Sequence, residues 1–265
     1  MSEDDQNADQ KIRLSKLMSE KGLSSRREAD SLISRGMVYV NGKKITELGT
    51  KVDRDVSVTL GAEAMQEQKH LVTIIMNKPI GYVSSQPEPG YEPAIRLVTD
   101  ATQFFDEINK SAGQQARKLM MGDLKNLAVT GRLDIDSQGL LIFTQDGRLA
   151  KKIIGENSDI EKEYIVRVQY RGQSSAAKNF PDEQLQLLNH GLEIDGEQLK
   201  PAVVDWINDD QLRFILREGK KRQIRKMCEQ VGLSIHGLKR VRVGRLKLGK
   251  LPEGQWRFLE DFEDV

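Results

Sequence analysis

The residues most able to do chemistry lie in one segment, GRLDIDSQGLLIFTQDG at residues 131–147. Asp134 follows a Gly-Arg-Leu turn and precedes the apolar run Leu140–Phe143, which predicts a buried strand. A carboxylate at the rim of a sheet is partly desolvated, which raises its pKa unless a cation offsets the effect. An arginine partner would keep Asp134 ionised, and therefore nucleophilic or basic, at neutral pH. Asp134 and Asp136 also fit the pattern of loop carboxylates at a turn, so both interpretations stay open.

Several common catalytic and metal-binding patterns are missing from the sequence. The histidines at positions 70, 190 and 236 lack metal-ligand spacing, and no nucleotide-binding loop or GxSxG motif is present. The single cysteine, Cys228, excludes a disulfide framework within the chain, and its core spacing between Ile224 and Val231 favours a structural role. We therefore expect no metal and no nucleotide or redox cofactor. Any chemistry must depend on a carboxylate, an aromatic ring and basic side chains.

The charge of the chain is unevenly distributed. Its 265 residues include 41 basic and 40 acidic ones, a net charge of +1. Residues 11–45 hold nine basic and three acidic residues, and residues 217–250 hold twelve basic and two acidic ones. Two separated basic blocks on a neutral chain are typical of nucleic-acid binding, although charge runs can also be solvated surfaces.

Nothing in the sequence predicts a membrane protein. The longest apolar runs, Leu71–Met76 and Leu140–Phe143, are far too short to cross a bilayer. The acidic, polar start MSEDDQNADQ does not resemble a signal or transit peptide. We expect a cytoplasmic protein without a membrane partner.

Residues 11–60 predict two helices followed by a hairpin. Apolar residues at helical spacing predict the first helix, and Ser25 with Glu28 forms a capping-box pattern that begins the second. Met37–Val40 predicts a strand, and Asn41-Gly42 predicts a tight hairpin turn after it. Residues 61–70 lack periodicity and are predicted to be a linker.

The stretch RLSKLMSEKGLSSRREADSLISRGMVYVNGKKI, at residues 13–45, resembles the alpha-L RNA-binding module, which binds structured RNA through its two helices and the following turn. Arg26 and Arg27 fall in the first turn of a helix, where the helix dipole disfavours cations unless phosphate binds there. By this resemblance the candidate RNA contacts are Arg13, Lys16, Ser25, Arg26, Arg27, Asn41, Lys43 and Lys44. For Ser25 a capping role alone is an alternative.

The rest of the chain predicts many strands and few helices, which favours an α+β fold. Four motifs occur in order: NKPIGYVSS at 77–85, GRLDIDSQGLLIFTQDGRLA at 131–150, KEYIVRV at 162–168 and EGKKRQIRKMCEQVG at 218–232. Together with the N-terminal module they resemble the ribosomal pseudouridine synthases of the RsuA/RluB/RluE/RluF family over about residues 11–260. The motif RQIRKMCE is most similar to the RluF branch, which acts on large-subunit rRNA.

This resemblance implies a domain organisation and a reaction. An alpha-L RNA-binding domain (residues 11–60) would be joined through the linker to a catalytic domain (71–260) with a mixed, mainly antiparallel sheet. The segment 86–127 is longer than the usual connection in the family and is predicted to be an insertion with partial helix. The implied reaction breaks the N-glycosidic bond of a specific uridine, rotates the base and rejoins it through C5, without a cofactor.

The resemblance also implies roles for individual residues. Asp134 matches the catalytic aspartate, which either attacks the ribose or base or abstracts a proton. Tyr164 matches a tyrosine that stacks on the target base, and Arg225 matches the basic residue that pairs with the catalytic aspartate. A core tyrosine and one more phosphate contact are the respective alternatives.

Three further residues are predicted to contact the RNA. Arg132 resembles an arginine that helps to displace the target base. Lys78 and Arg222 are predicted to contact phosphates.

The partner implied by the resemblance is ribosomal RNA of the large subunit, either free or within an assembly intermediate, and a monomer is expected. A non-catalytic RNA-binding assembly factor on the same fold is the main alternative, and the intact set of Asp134, Tyr164 and Arg225 favours an enzyme. A methyltransferase would need a glycine-rich S-adenosylmethionine loop, which is absent. No helix-turn-helix with a polar recognition face supports DNA binding.

Overall fold

The structure is a computed structural model that describes residues 11–85, 89–105, 117–155, 158–260 and 263–265. The chain divides into two compact units. The first comprises Met1–Val72 with Thr144–Lys152, and the second comprises Thr73–Phe143 with Ile153–Val265. Each unit has its own cluster of buried apolar side chains, so each has a core of its own.

The α-helices of the described residues are, in chain order, α1 (Leu14–Glu20), α2 (Arg26–Ser34), α3 (Ala62–Lys69), α4 (Gly147–Ile154), α5 (Ala176–Asn179), α6 (Asp182–Asn189) and α7 (Gln223–Gln230). The strands described in the first unit are β1 (Ile12–Arg13), β2 (Val38–Val40), β3 (Lys43–Ile45), β4 (Lys51–Val52) and β5 (Val58–Leu60). The strands that follow in the described chain are β6 (Thr73–Lys78), β7 (Tyr82–Val83), β8 (Glu92–Pro93), β9 (Ala128–Thr130), β10 (Gln138–Thr144), β11 (Lys162–Tyr170), β12 (Glu193–Ile194), β13 (Glu197–Gln198), β14 (Val203–Asn208), β15 (Gln211–Leu216), β16 (Leu233–Val243), β17 (Leu246–Lys247) and β18 (Trp256–Phe258).

The two helices and hairpin predicted for the first unit are present. Ser25 caps α2 with the predicted capping box: its Oγ accepts from the Glu28 backbone N–H, and the Glu28 carboxylate accepts from the Ser25 N–H, each at 3.2 Å. Strand β2 pairs antiparallel with β3 and β5. Asn41 and Gly42 both have positive φ, 49° and 77°, which is the backbone of the tight turn that the sequence predicts.

Residues 61–70, predicted as a linker, contain helix α3. Its sequence, AEAMQEQK, is rich in residues with high helix propensity, although it lacks an apolar stripe. Arg35 holds it with a two-pronged ion pair to the Glu67 carboxylate, at 2.8 and 2.9 Å. The Gln68 amide donates to the carbonyl of Leu23 at 2.8 Å. These contacts join residues far apart in the chain, so no local sequence pattern indicates them. They make residues 61–70 part of the first unit.

The second unit is built on a sheet with the order β14-β15-β11-β16-β10-β6-β18. The pairs β14–β15, β15–β11, β11–β16 and β6–β18 are antiparallel, whereas β10 and β16 are parallel. The apolar run Leu140–Phe143 forms the middle of β10 and is buried throughout, as expected for a strand covered on both faces. The α+β prediction, with a mainly antiparallel sheet, is therefore confirmed.

Gly139 sets how closely β10 approaches β16. It pairs with Arg240 in the parallel register and has φ +110°. A Cβ at this position would lie 2.2 Å from the carbonyl oxygen and 2.7 Å from the nitrogen of Arg240. Only glycine fits this backbone contact without displacing a strand.

The predicted insertion at 86–127 is described only in part. Its described residues form β8 and three short 3-10 helices, Ala94–Leu97, Asp100–Thr102 and Met121–Leu124. Residues 86–88 and 106–116 of the prediction lie outside the described residues, as does the acidic start, residues 1–10. Among the described helices, none has both the length and the apolar character needed to cross a bilayer.

Candidate active site

The loop from β9 to β10 presents Asp134. Leu133, which precedes it, is buried and exchanges two hydrogen bonds with the Ser84 hydroxyl, one at 2.9 Å from its N–H and one at 2.6 Å to its carbonyl. The Gly81 N–H donates to the carbonyl of Ile135 at 2.9 Å, and the Ser137 N–H closes a turn onto the carbonyl of Asp134 at 3.0 Å. The loop is thus fixed on both sides of Asp134, whose side chain remains 37% exposed.

Asp134, Tyr164 and Arg225 line the same cavity of the second unit, which has a volume of about 1040 Å³. They come from the β9–β10 loop, β11 and α7, so only the fold brings them together. The cavity wall is strongly basic. Its cationic side chains are Arg132, Lys162, Lys200, Arg217, Lys220, Lys221, Arg222, Arg225 and Arg240, against the carboxylates of Asp134 and Glu218. Such a concave basic surface attracts a polyanion.

Tyr164 lies near the middle of the sheet and is 8% exposed. Strand β11 runs between β15 and β16, where Tyr164 is opposite Phe214 on one side and Arg240 on the other. Burial of its neighbours therefore holds the ring in place at the wall of the cavity. A ring at this position can stack on a base at the cavity wall. The position also matches the alternating pattern of KEYIVRV, which predicts a tyrosine that faces the core.

Arg225 pairs with a different carboxylate from the one expected. Its Nη2 lies 3.1 Å from Oδ1 of Asp136 and donates to the Asp136 carbonyl at 3.0 Å. The nearest described cation to Asp134 is Arg222, with Nη1 3.7 Å from Oδ2. Arg222 also faces Asp136, with both its Nη atoms at 3.3 Å. Sequence spacing could not choose between two aspartates two residues apart on one loop, so the predicted Arg225–Asp134 pair is replaced by pairs to Asp136.

Lys78 is not the phosphate contact that the sequence predicts. Its side chain is fully buried, and Nζ donates to the carbonyls of Pro79 and Ser137, both at 2.8 Å. Burial lowers the pKa of Lys78 from 10.5 to about 8, although Asp136 and Asp134 act in the opposite direction. Lys78 is not among the residues that line the cavity, and it instead ties the end of β6 to the loop that bears Asp134.

The other two predicted contacts in this unit are accessible. Arg132 is exposed at the cavity, and its carbonyl accepts from Nη1 of Arg240 at 3.3 Å. Arg222 is 42% exposed and lines the same cavity, although Asp136 and Asp134 already face it. Both can therefore reach a bound nucleotide.

In the first unit, most of the predicted RNA contacts are exposed side chains. This holds for Arg13, Lys16, Arg26, Arg27, Asn41, Lys43 and Lys44. Two polar members of the set have structural roles: Ser25 is the half-buried cap of α2, and Oδ1 of Asn41 accepts from the Ser57 N–H at 2.9 Å. No described acidic side chain pairs with Arg26 or Arg27, which leaves both free for an anion.

Six cations of the cavity wall were not among the predicted site residues: Lys162, Lys200, Arg217, Lys220, Lys221 and Arg240. One of them had a local signal, because Lys162 precedes Tyr164 by two residues on a strand and so shares its face. Cys228 behaves as predicted for a structural residue, since burial raises the pKa of its thiol to about 12. No group of three or more His, Cys, Asp or Glu residues in the described chain is arranged to hold a metal ion.

Comparison with known proteins agrees with this geometry. The RNA pseudouridylate synthase family model matches residues 72–230, and the S4 domain model matches residues 12–58. The dual-specificity RNA pseudouridine synthase RluF of Escherichia coli K12 is 35% identical over 96% of this chain and 78% of its own length. An uncharacterized RNA pseudouridine synthase of Mycobacterium leprae is 32% identical over 94% of this chain and 89% of its own.

A crystal structure of a pseudouridylate synthase has the same fold, with a TM-score of 0.56 at 22% identity over 94% of this chain and 96% of that one. The family match covers more than half of the chain and includes Asp134, Tyr164 and Arg225, which line the cavity. The chain belongs to the RNA pseudouridylate synthase family and has an N-terminal S4 domain.

Proposed function

We propose that this protein converts one specific uridine of large-subunit ribosomal RNA to pseudouridine, with Asp134 as the catalytic residue. The observation that supports this most directly is the placement of a partly exposed carboxylate and a fixed tyrosine ring in one basic cavity of about 1040 Å³. The large-subunit target rests on the likeness of RQIRKMCE to the RluF branch and on the 35% identity to RluF.

The reaction needs no net change in composition. The N1–C1′ bond of the uridine breaks, the base turns, a C5–C1′ bond forms, the proton on C5 leaves, and N1 gains a proton. An ionised carboxylate serves each route open to Asp134, whether attack on the nucleotide or proton abstraction. The guanidinium of Arg222 lies 3.7 Å from Oδ2 of Asp134, so a positive charge stands next to this carboxylate.

The target uridine must leave its stack to reach Asp134, which costs a few kcal/mol. The cations of the cavity wall offset part of this cost by binding the flanking phosphates. We assign Tyr164 as the ring on which the flipped base stacks. The exposed side chain of Arg132 would occupy the space that the base leaves in the RNA. We propose further that the protein acts on RNA as a monomer.

The test is pseudouridine mapping of total rRNA, with and without the gene. We expect one missing site in large-subunit rRNA that wild-type protein restores and Asp134→Asn does not, while RNA binding by Asp134→Asn stays within a few-fold. Asp182→Asn, which removes an exposed carboxylate at the start of α6, is the matched control and should restore the site.

Restoration by Asp134→Asn would refute the catalytic role of this residue. An unchanged pseudouridine map together with tight rRNA binding would favour the non-catalytic assembly factor. Supplying the protein with free rRNA or with ribosome precursors in vitro then identifies which of the two is the substrate.

A further inference from the structure

The cavity wall contains a buried arginine that has no carboxylate partner in the described chain. Arg240 is 2% exposed. Its Nε donates to the carbonyl of Leu140 at 2.8 Å and its Nη1 to the carbonyl of Arg132 at 3.3 Å, but Nη2 is buried without any hydrogen-bond partner among the described residues. Buried charges in proteins are normally paired, because an unpaired one is costly. Arg240 is therefore placed for an anion that the described residues do not supply.

Two lysines of the same wall have few partners among the described residues. Nζ of Lys162 has one described partner, the carbonyl of Ile160 at 3.2 Å. Nζ of Lys200 lies 3.7 Å from the largely exposed carboxylate of Asp159. Burial lowers the pKa of Lys162, and the charges of Arg240 and Lys200 lower it further. Arg240 and Lys200 thus each repel the charge of Lys162.

The acids next to Lys162 in sequence are already occupied. Glu161 pairs with Arg217 at 3.2 Å and with Arg242 at 3.1 Å. Glu163 pairs with Arg242 at 2.6 Å. Both carboxylates are therefore paired with arginines other than Arg240.

The strand register places two of these cations, Arg240 and Lys162, next to Tyr164. Tyr164 on β11 is opposite Arg240 on β16, and directly opposite residues on neighbouring strands have their Cβ atoms about 5 Å apart. Lys162 precedes Tyr164 by two residues and therefore lies on the same face of β11. In contrast, Arg222 and Arg225 already face the carboxylate of Asp136.

We propose that Arg240, Lys162 and Lys200 form an anion subsite that takes one backbone phosphate of the substrate RNA next to the flipped uridine. This proposal rests on the proposed function, since it names where the RNA backbone lies while the base is on Tyr164. A phosphate diester supplies the negative charge and the several acceptor oxygens that three cations require, whereas a neutral base carbonyl supplies no charge.

The test is a scan of single phosphates in an RNA fragment that contains the mapped target uridine. Each phosphate around the uridine is replaced in turn by an uncharged methylphosphonate, and binding to the full-length protein is measured. Lys162→Gln removes one charge of the subsite from a half-buried position. Lys178→Gln removes an exposed lysine that pairs with Asp209, outside the cavity, and is the matched control.

For wild type and Lys178→Gln we expect one methylphosphonate position to weaken binding about tenfold, the size of a lost charge-assisted hydrogen bond. Lys162→Gln should bind the natural RNA about tenfold more weakly and lose at most about twofold more at that same position. The proposal is wrong if the loss of affinity from Lys162→Gln multiplies with the loss from the methylphosphonate at every position. It is also wrong if Lys162→Gln binds the natural RNA as tightly as wild type does.

Three further measurements separate the subsite from the fold and from the proposed function. Circular dichroism and thermal unfolding check that Lys162→Gln is folded, and Arg240→Lys, which keeps the charge, should retain the preference for the same phosphate.

Inorganic phosphate should raise the melting temperature of wild type above that in sodium chloride of equal ionic strength, and the increase should be smaller for Lys162→Gln. If rRNA mapping finds no modified uridine while this phosphate effect is present, the proposed function fails and the subsite stands. An equal phosphate effect in both proteins overturns the subsite.

Discussion

Replacement of Gly139 by alanine tests whether the close backbone contact of β10 with Arg240 of β16 contributes to the stability of the second unit. The added Cβ would lie 2.2 Å from the carbonyl oxygen of Arg240 and 2.7 Å from its nitrogen. Both are backbone atoms of a central strand, so no side-chain rotation relieves the contact. The backbone angle φ of +110° adds strain for any residue with a Cβ.

The size of the effect follows from these two contributions. A left-handed backbone angle costs roughly 1–2 kcal/mol for a non-glycine residue. Overpacking against a rigid neighbour costs about 1–3 kcal/mol more. We therefore expect Gly139→Ala to lower the free energy of unfolding of the second unit by about 2–5 kcal/mol.

A matched control isolates the backbone contact from the angle. Gly196 also has a positive φ, +81°, in the turn between β12 and β13, but a Cβ there would meet no atom within 4 Å. Gly196→Ala should cost only about 1–2 kcal/mol. The difference between the two variants is the contribution of the close approach to Arg240.

Urea unfolding followed by tryptophan fluorescence is a suitable assay. The chain has two tryptophans, and both Trp206 on β14 and Trp256 on β18 belong to the second unit. Their signal therefore reports the unit that contains Gly139 and Gly196. A loss for Gly139→Ala no larger than that for Gly196→Ala would refute the reasoning.

Three further predictions concern charged residues. Replacement of both Arg26 and Arg27 by alanine should weaken RNA binding and reduce the slope of log K against log salt by about 1.4–1.8, which corresponds to the loss of two phosphate contacts. The control Arg54→Ala breaks an exposed ion pair with Glu20 and should leave the slope unchanged. Asp136→Asn should tighten RNA binding a few-fold because it removes a negative charge that faces Arg222 and Arg225. It should slow single-turnover isomerisation about tenfold because these two arginines lose the carboxylate that positions them. Parallel losses of rate and affinity would contradict this prediction. Because the pKa of Lys78 is lowered in the folded state, the unfolded state binds more protons between pH 8 and 10.5. The free energy of unfolding of wild type, measured in urea relative to that of Lys78→Met, should therefore rise by up to about 3 kcal/mol across that range. A difference between the two proteins that does not change with pH would contradict this prediction.

Short-range features of the fold could be predicted from the sequence. The capping box at Ser25, the turn at Asn41-Gly42 and the buried strand Leu140–Phe143 each depend on residues close together in the chain, and each is present. Helix α3 was missed because its support comes from Arg35 and other residues more than 30 positions away. The order of strands in the large sheet depends on pairings between distant segments, which periodicity cannot rank.

For the site, the sequence by itself determined which residue types are available: the carboxylates of GRLDID, the tyrosine of KEY and the arginines of RQIRK. It also determined the local elements that bear them, because hydrophobic periodicity and turn residues act over a few positions. Only the tertiary structure decided the partners. It pairs Arg225 with Asp136, buries Lys78 under the Asp134 loop and leaves Arg240 beside Tyr164 without a described counter-charge. The physical reason is that burial and ion pairing depend on which distant strands meet, and a few ångströms decide which carboxylate an arginine reaches.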